Sequence, residues 1–348
     1  MMSPSISRRA AILSSVGFLA ALTAAGLSGC APSGTASKTV RLLNVSYDPT
    51  RELWRELNDA FIAKYKTETG TDLEIDASHA ASGSQARQII DGLEADVATL
   101  SLWSDTDALR KQGLLKEGWE DALPNRSLPY TSTVVFVVRK GNPKGIKDWN
   151  DLAQPGVQII TPNPKTSGNG RLSLLAAWGS VVLRGGSEAD ARDLLRKIYL
   201  QVPVLDTGAR GSTSTFLQKE IGDIHLAMES EAYLEVRESK GSVEIIYPSI
   251  SILHEPHVAV VDKVVDQKGT REVSTEYLKF LYTPQGQDII AKHYFRPTDP
   301  EALKKYAGQF PEVELFPLAK VADGWDAAQA TFFAEGGIFD QVSKPAAR

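Results

Sequence analysis

One cysteine, three methionines and five histidines in 348 residues leave little material for thiol or metal chemistry. The single cysteine, Cys30, excludes an internal disulfide and a thiolate metal cluster. An excess of positive charge is also missing: 38 Lys and Arg stand against 43 Asp and Glu, a net −5. That balance argues against nucleic acid as the main partner, because phosphate backbones select basic surfaces. A small anion is still admissible, since only the local field at its site matters. Long apolar runs are confined to the N-terminus, and no later segment could span a membrane. What is present is 42% hydrophobic and 23% charged residues, the composition of a well-packed core, in a chain long enough for one large or two medium domains.

Residues 1–29 read as a leader. Arg8 and Arg9 form a short positive region, an uncharged apolar run follows from Ala10 to about Gly26, and Leu27-Ser28-Gly29-Cys30 ends it. The run is too short for a transmembrane helix and has the layout of a secretory signal. Ser7-Arg8-Arg9 hints at a twin-arginine route. Leu-Ser-Gly-Cys resembles the lipobox of bacterial lipoproteins, which makes Cys30 the expected lipid-carrying residue and residues 30–38 a tether.

Beyond the tether, strand-like and helix-like segments alternate. Val40 to Val45 reads as a buried strand, and Asp48 and Pro49 as the cap and first residue of a helix. Leu53, Trp54, Leu57, Phe61 and Tyr65 then recur at helical spacing. Leu73 to Asp76, Asp96 to Leu102, Thr133 to Val138, Gln158 to Ile160, Val202 to Leu205, Ile224 to Met228 and Val258 to Val261 read as further strands. The alternation predicts an α/β fold with mainly parallel sheets. Its length suggests two lobes, with the chain crossing between them near Tyr130 and Glu255.

Four places share one design, a strand end, a small or capping residue, and a helix start. They are Tyr47-Asp48, Ala81-Ser82-Gly83, Ser167-Gly168-Asn169 and Gly208-Ala209. Each presents unpaired N–H groups at the positive end of a helix, and small residues let an anion touch the backbone. Alone, each reads as an ordinary cap; together, facing one cleft, they could hold a tetrahedral dianion without Lys or Arg. Competing chemistries fit worse. Lys165 precedes the glycines, so no nucleotide phosphate loop is formed. Ser167 lacks the Gly-x-Ser-x-Gly setting of a hydrolase nucleophile. Pro256 breaks the helix that His254 and His257 would need as a metal pair.

The longer motifs carry a resemblance. Leu42-Leu43-Asn44-Val45-Ser46-Tyr47-Asp48-Pro49-Thr50-Arg51-Glu52-Leu53 resembles the opening motif of the prokaryotic sulfate-binding proteins, the solute-binding subunits of sulfate/thiosulfate ABC importers. Asn163-Pro164-Lys165-Thr166-Ser167-Gly168-Asn169-Gly170-Arg171, Asp206-Thr207-Gly208-Ala209-Arg210-Gly211-Ser212-Thr213 and Phe339-Asp340-Gln341 are similar to later ones, over residues 39 to 345. The resemblance implies a two-lobed, periplasmic-binding-protein-like (type II) α/β fold that closes on its ligand. Lobe 1 would be residues 39–129 and 256–348, and lobe 2 residues 130–255. It implies sulfate or thiosulfate bound by main-chain N–H groups of Asp48, Ser82, Gly168, Asn169 and Ala209 and by the Ser167 hydroxyl. No catalytic residue, cofactor or metal is implied. The expected partner is an ABC permease, and the expected state a monomer anchored through Cys30 on the outer face of the cytoplasmic membrane. One position departs from the family: Met228 stands where its members carry a tryptophan whose indole donates to sulfate. Arg210 is expected to brace its loop. The alternatives are an enzyme acting on a sulfate or phosphate ester and a receptor for another oxyanion such as molybdate.

Overall fold

The computed structural model describes residues 39–343. The leader, Cys30 and the tether lie outside the described residues, as do the last five. Two sheets organise the rest. In chain order the first half holds strands β1 (Val40–Tyr47), β2 (Leu73–Ala80), β3 (Val97–Thr99), β4 (Tyr130–Thr131), β5 (Val134–Arg139) and β6 (Ile159–Pro162). The second holds β7 (Leu205–Asp206), β8 (Ile224–Met228), β9 (Val243–Ile246), β10 (Ile250–Ile252), β11 (Val258–Val260), β12 (Arg296–Pro297) and β13 (Glu314–Phe316).

The first sheet has the order β11-β3-β1-β2 and the second β7-β6-β8-β5-β9. Strands β1, β2 and β3 are parallel, as are β6, β7 and β8; β11 and β5 run antiparallel to their neighbours. Parallel strands need crossover helices that cover both faces of the sheet, and this is why β5 and β8 are apolar runs rather than alternating ones. Val134 to Val138 and Ile224 to Met228 are all buried. The helix Arg51–Thr69 covers the first sheet through Leu53, Trp54, Leu57 and Phe61, one stripe of its surface. Each such side chain contributes roughly 1.5–3 kcal/mol on burial.

The passages between the sheets run side by side. Ser132 N–H donates to the His254 carbonyl at 3.1 Å and His254 N–H returns the bond to Ser132 at 2.9 Å. Beyond these two expected crossings the chain passes over once more. β13 pairs with β10, and Leu253 N–H donates to the Phe316 carbonyl at 2.8 Å. Phe316, Phe332, Phe333, Ile338, Phe339 and Val342 then join the core of the five-stranded sheet. Gly179 makes room for this: a Cβ there would lie 2.1 Å from Phe316 Cζ. These C-terminal residues pack with the second sheet, whereas the expected division kept residues 256–348 together on the first lobe. Periodicity did not reveal the return, because it is made of short turns, among them Leu318–Lys320 and Gln329–Phe333, with no sustained helical stripe.

Candidate functional site

Register places the pocket. Tyr47 pairs with Ala80, and Ser46 with both His79 and Thr99, so β1, β2 and β3 end together. On the second sheet Pro162 pairs with Asp206 and Ile160 with His225, so β6, β7 and β8 end together too. Ligands in such sheets sit beyond the carboxyl ends of the strands, and here two sets of ends face each other. Between them is a small cavity of about 10 Å³ lined by Asp48, Ser82, Ser101, Ser167, Gly168, Asn169, Ala209 and Met228 with Tyr47, Pro49, Ala80 and Ala81. All seven ligand-contact positions expected from the sequence therefore meet in one place. Among the described residues no Lys or Arg lines it.

The donors follow from local structure. Ser82 opens the helix Ser82–Ile90, Gly168 the helix Gly168–Val182, and Ala209 the helix Ala209–Thr213. The first N–H groups of a helix have no intrahelical carbonyl and point outward along the axis. Ser167 caps the second of these helices by accepting from Gly170 N–H at 3.4 Å, which uses its oxygen and leaves its hydroxyl proton free. The Asn169 side chain is spent elsewhere, donating to the Leu226 carbonyl at 3.2 Å. Ser82 Oγ donates to Asp105 Oδ2 at 2.6 Å and accepts from Ser101 N–H at 2.9 Å, so only its backbone can serve a ligand.

Asp48 departs from expectation. Its side chain makes no capping bond to its own turn; Oδ1 accepts instead from Arg51 Nη2 at 2.9 Å. The Asp48–Thr50 segment is a tight 3₁₀ turn, and the guanidinium one turn later reaches the carboxylate. The other cations behind the pocket are also tied. Arg171 Nη1 meets Asp105 Oδ1 at 2.8 Å, and Arg210 meets Glu52 at 3.1 Å and buried Glu231 at 3.3 Å. Asp105 and Glu52 follow strands of the first sheet while Arg171 and Arg210 follow strands of the second, so both pairs close across the cleft. Arg210 thus braces its loop against both walls.

The walls touch. A Cβ on Gly168 would lie 2.5 Å from Ser101 Oγ, and one on Gly208 2.6 Å from Asp48 Oδ2. Ser101 is the lining residue that sequence reasoning missed. Reading Asp96 to Leu102 as one strand hid the turn; β3 ends at Thr99 and the helix Trp103–Lys111 follows at once. A small residue between strand and helix was the available signal.

Among the described residues no group of three or more His, Cys, Asp or Glu is placed to hold a metal ion. His254 lies in the hinge, its Nε2 2.7 Å from the Ser101 carbonyl, and burial pushes its pKa down to about 4. His225 is fully buried against Glu235 at 2.7 Å. Burial likewise lowers His79, beside Arg51, to about 4. Glu231 is pushed up to about 7 by burial, against the opposing pull of Arg210.

The profile of the family described as bacterial extracellular solute-binding protein matches residues 43–296. The sulfate-binding protein of Escherichia coli is 52% identical over 316 residues, 90% of this chain and 96% of that one. The thiosulfate-binding protein of Pseudomonas aeruginosa is 49% identical over 330 residues, 94% of this chain and 98% of that one. Among solved structures, the sulfate-binding protein SubI from Mycobacterium tuberculosis has a TM-score of 0.77 at 30% identity, covering 84% of this chain and 99% of that chain. The chain belongs to the bacterial extracellular solute-binding proteins and, within them, to the sulfate-binding protein family.

Proposed function

We propose that this protein captures sulfate in the cleft between its two sheets and delivers it to the permease of an ATP-driven importer. The observation that carries this reading is the lining itself: helix N-termini from both walls, a helix-capping serine whose hydroxyl proton is free, and no cation among the described residues. The donors assigned to sulfate are the N–H groups of Asp48, Ser82, Gly168, Asn169 and Ala209 and the hydroxyl of Ser167. Sulfate carries no proton at neutral pH, so a lining made of donors satisfies it. Phosphate would bring a proton that meets donors and lacks an acceptor, which is costly in a buried site. Asp48 is the one carboxylate among the described lining residues, and its Oδ1 already accepts from Arg51.

Met228 favours a second ligand. Its thioether is buried, lines the cavity and cannot donate a hydrogen bond. A missing donor to a charged ligand costs about 1.5–3 kcal/mol, and the terminal sulfur of thiosulfate tolerates a thioether neighbour better than an oxyanion oxygen does. Calorimetric titration of the purified protein with sulfate and thiosulfate tests both. The expected result is saturable binding of each, with thiosulfate losing little against sulfate; heat from neither anion would refute the assignment.

The hinge reading takes residues 39–129 and the stretch from 256 to β13 as one lobe, and residues 130–255 with the C-terminal segment as the other. The protein works as a monomer on the outer face of the cytoplasmic membrane, exported by the leader and held by a lipid on Cys30. Cys30→Ser should move it from the membrane fraction to the soluble fraction; an unchanged distribution would remove the anchor from this account.

A further inference from the structure

We infer that the Ser101 hydroxyl is an additional ligand donor of this pocket, aimed into it by His254. Ser101 is 2% exposed and lines the cavity. Its surroundings fix where its proton goes. His254 Nε2 lies 2.7 Å from the Ser101 carbonyl oxygen and 3.1 Å from Ser101 Oγ. A carbonyl only accepts, so Nε2 carries the hydrogen. A protonated Nε2 cannot accept from the serine, so Oγ can only be the acceptor of that contact. The backbone N–H of Ser101 is already given to Ser82 Oγ. Ser101 Oγ has no other hydrogen-bond contact among the described residues, so its O–H has no protein acceptor and stays available. Oγ stands against Gly168, so close that a Cβ there would lie 2.5 Å away. It therefore sits beside the N–H groups of the Gly168 turn.

His254 is built as a positioning residue. It is 1% exposed, its backbone is pinned to Ser132 in both directions, and its ring meets Tyr47 edge-on at 5.9 Å between centroids. Burial keeps the ring neutral, which preserves the one-proton arrangement the argument needs. The unused Nδ1 has no partner, as expected of a neutral ring with its proton on Nε2. The pocket thereby gains a hydroxyl donor in a lining where Met228 offers none. Because Ser101 follows a strand of the first sheet and Ser167 one of the second, each wall supplies one hydroxyl.

This inference rests on the oxyanion reading of the pocket, and its test separates the two. Sulfate titrations of the wild type, Ser101→Ala and Ser101→Thr should show binding weakened about tenfold or more in the alanine variant and largely restored in the threonine variant. His254→Phe should weaken binding in the Ser101 background and add little on top of Ser101→Ala, a coupling that a purely structural histidine would not show. Unfolding curves without sulfate identify a variant that is merely unstable. Independently of any variant, a crystal of the sulfate complex should place a ligand oxygen within about 3 Å of Ser101 Oγ. Equal affinity in Ser101→Ala, or a ligand beyond hydrogen-bond reach of Oγ, overturns the inference and leaves the pocket assignment standing. Failure of the wild type to bind sulfate removes the pocket assignment first.

Discussion

Gly168 does two jobs, and they can be separated. Its N–H opens a helix toward the cavity, and its missing side chain lets the second wall reach Ser101. The clash created by Gly168→Ala, 2.5 Å to Oγ and 2.7 Å to Cβ of Ser101, exists only when the walls meet. The variant should therefore keep its unliganded melting temperature within about 2 °C, while sulfate binding weakens by a factor of ten or more because closure is obstructed. Calorimetry beside a thermal melt checks both halves; normal binding would mean that the walls do not approach as described. Met228→Leu should change sulfate affinity by less than about threefold, since a thioether that donates nothing is replaced by an alkyl group of similar volume. Residue identity was the most legible layer of this sequence. Ser82, Ser167, Gly168 and Ala209 each read as an ordinary cap, and it is their recurrence at four strand-to-helix turns that marks them. Ser101 did not stand out, since it reads as part of the strand Asp96 to Leu102, while β3 ends at Thr99.

At the scale of elements, the helix Glu229–Glu238 carries an unusual electrostatic load. Glu231 and Glu235 are both buried, and Thr213 Oγ1 lies 3.1 Å from one and 2.7 Å from the other. One hydroxyl has one proton, so it cannot donate to both carboxylates. Burial, with Glu235 nearby, raises Glu231 to about 7, while Arg210, His225 and Thr213 pull the other way. The sign follows directly. Between its ordinary value near 4.5 and about 7, folded Glu231 holds a proton that the unfolded chain lacks. Its contribution to stability is full below pH 4.5 and is lost as pH rises through 7. Glu231→Gln, which resembles the protonated form, should match the wild type in thermal unfolding at pH 5 and exceed it at pH 8 by on the order of 1–3 kcal/mol. A variant less stable than the wild type at pH 8 would mean that the Arg210 pair outweighs the burial cost. Elements were less legible than residues. The strand β2 runs on through Ser78-His79-Ala80, beyond the Leu73 to Asp76 segment that sequence alone reads as strand. Its register against β1 extends the ladder past what side-chain pattern suggests.

For the whole molecule, the two-lobe plan was readable from the alternation of strands and helices, and the third passage of the chain was not. That passage depends on Phe316 entering a space left by Gly179, a tertiary fit with no local signature. The chain thus joins the two sheets in three places rather than two. Closure gathers peptide dipoles from both walls around one small volume, while Arg171–Asp105 and Arg210–Glu52 neutralise one another outside it. A dianion placed there is stabilised by oriented amides and hydroxyls in a site with little water, where such dipoles count for more than in bulk solvent. The measurement that addresses this most directly is a competition titration, in which the sulfate complex at neutral pH is challenged with rising phosphate. A lining dominated by donors, with its carboxylate Asp48 paired to Arg51, predicts that phosphate fails to displace sulfate even at about a thousandfold excess. Displacement at equal concentration would show that the pocket supplies an acceptor or a free cation, and would contradict the account.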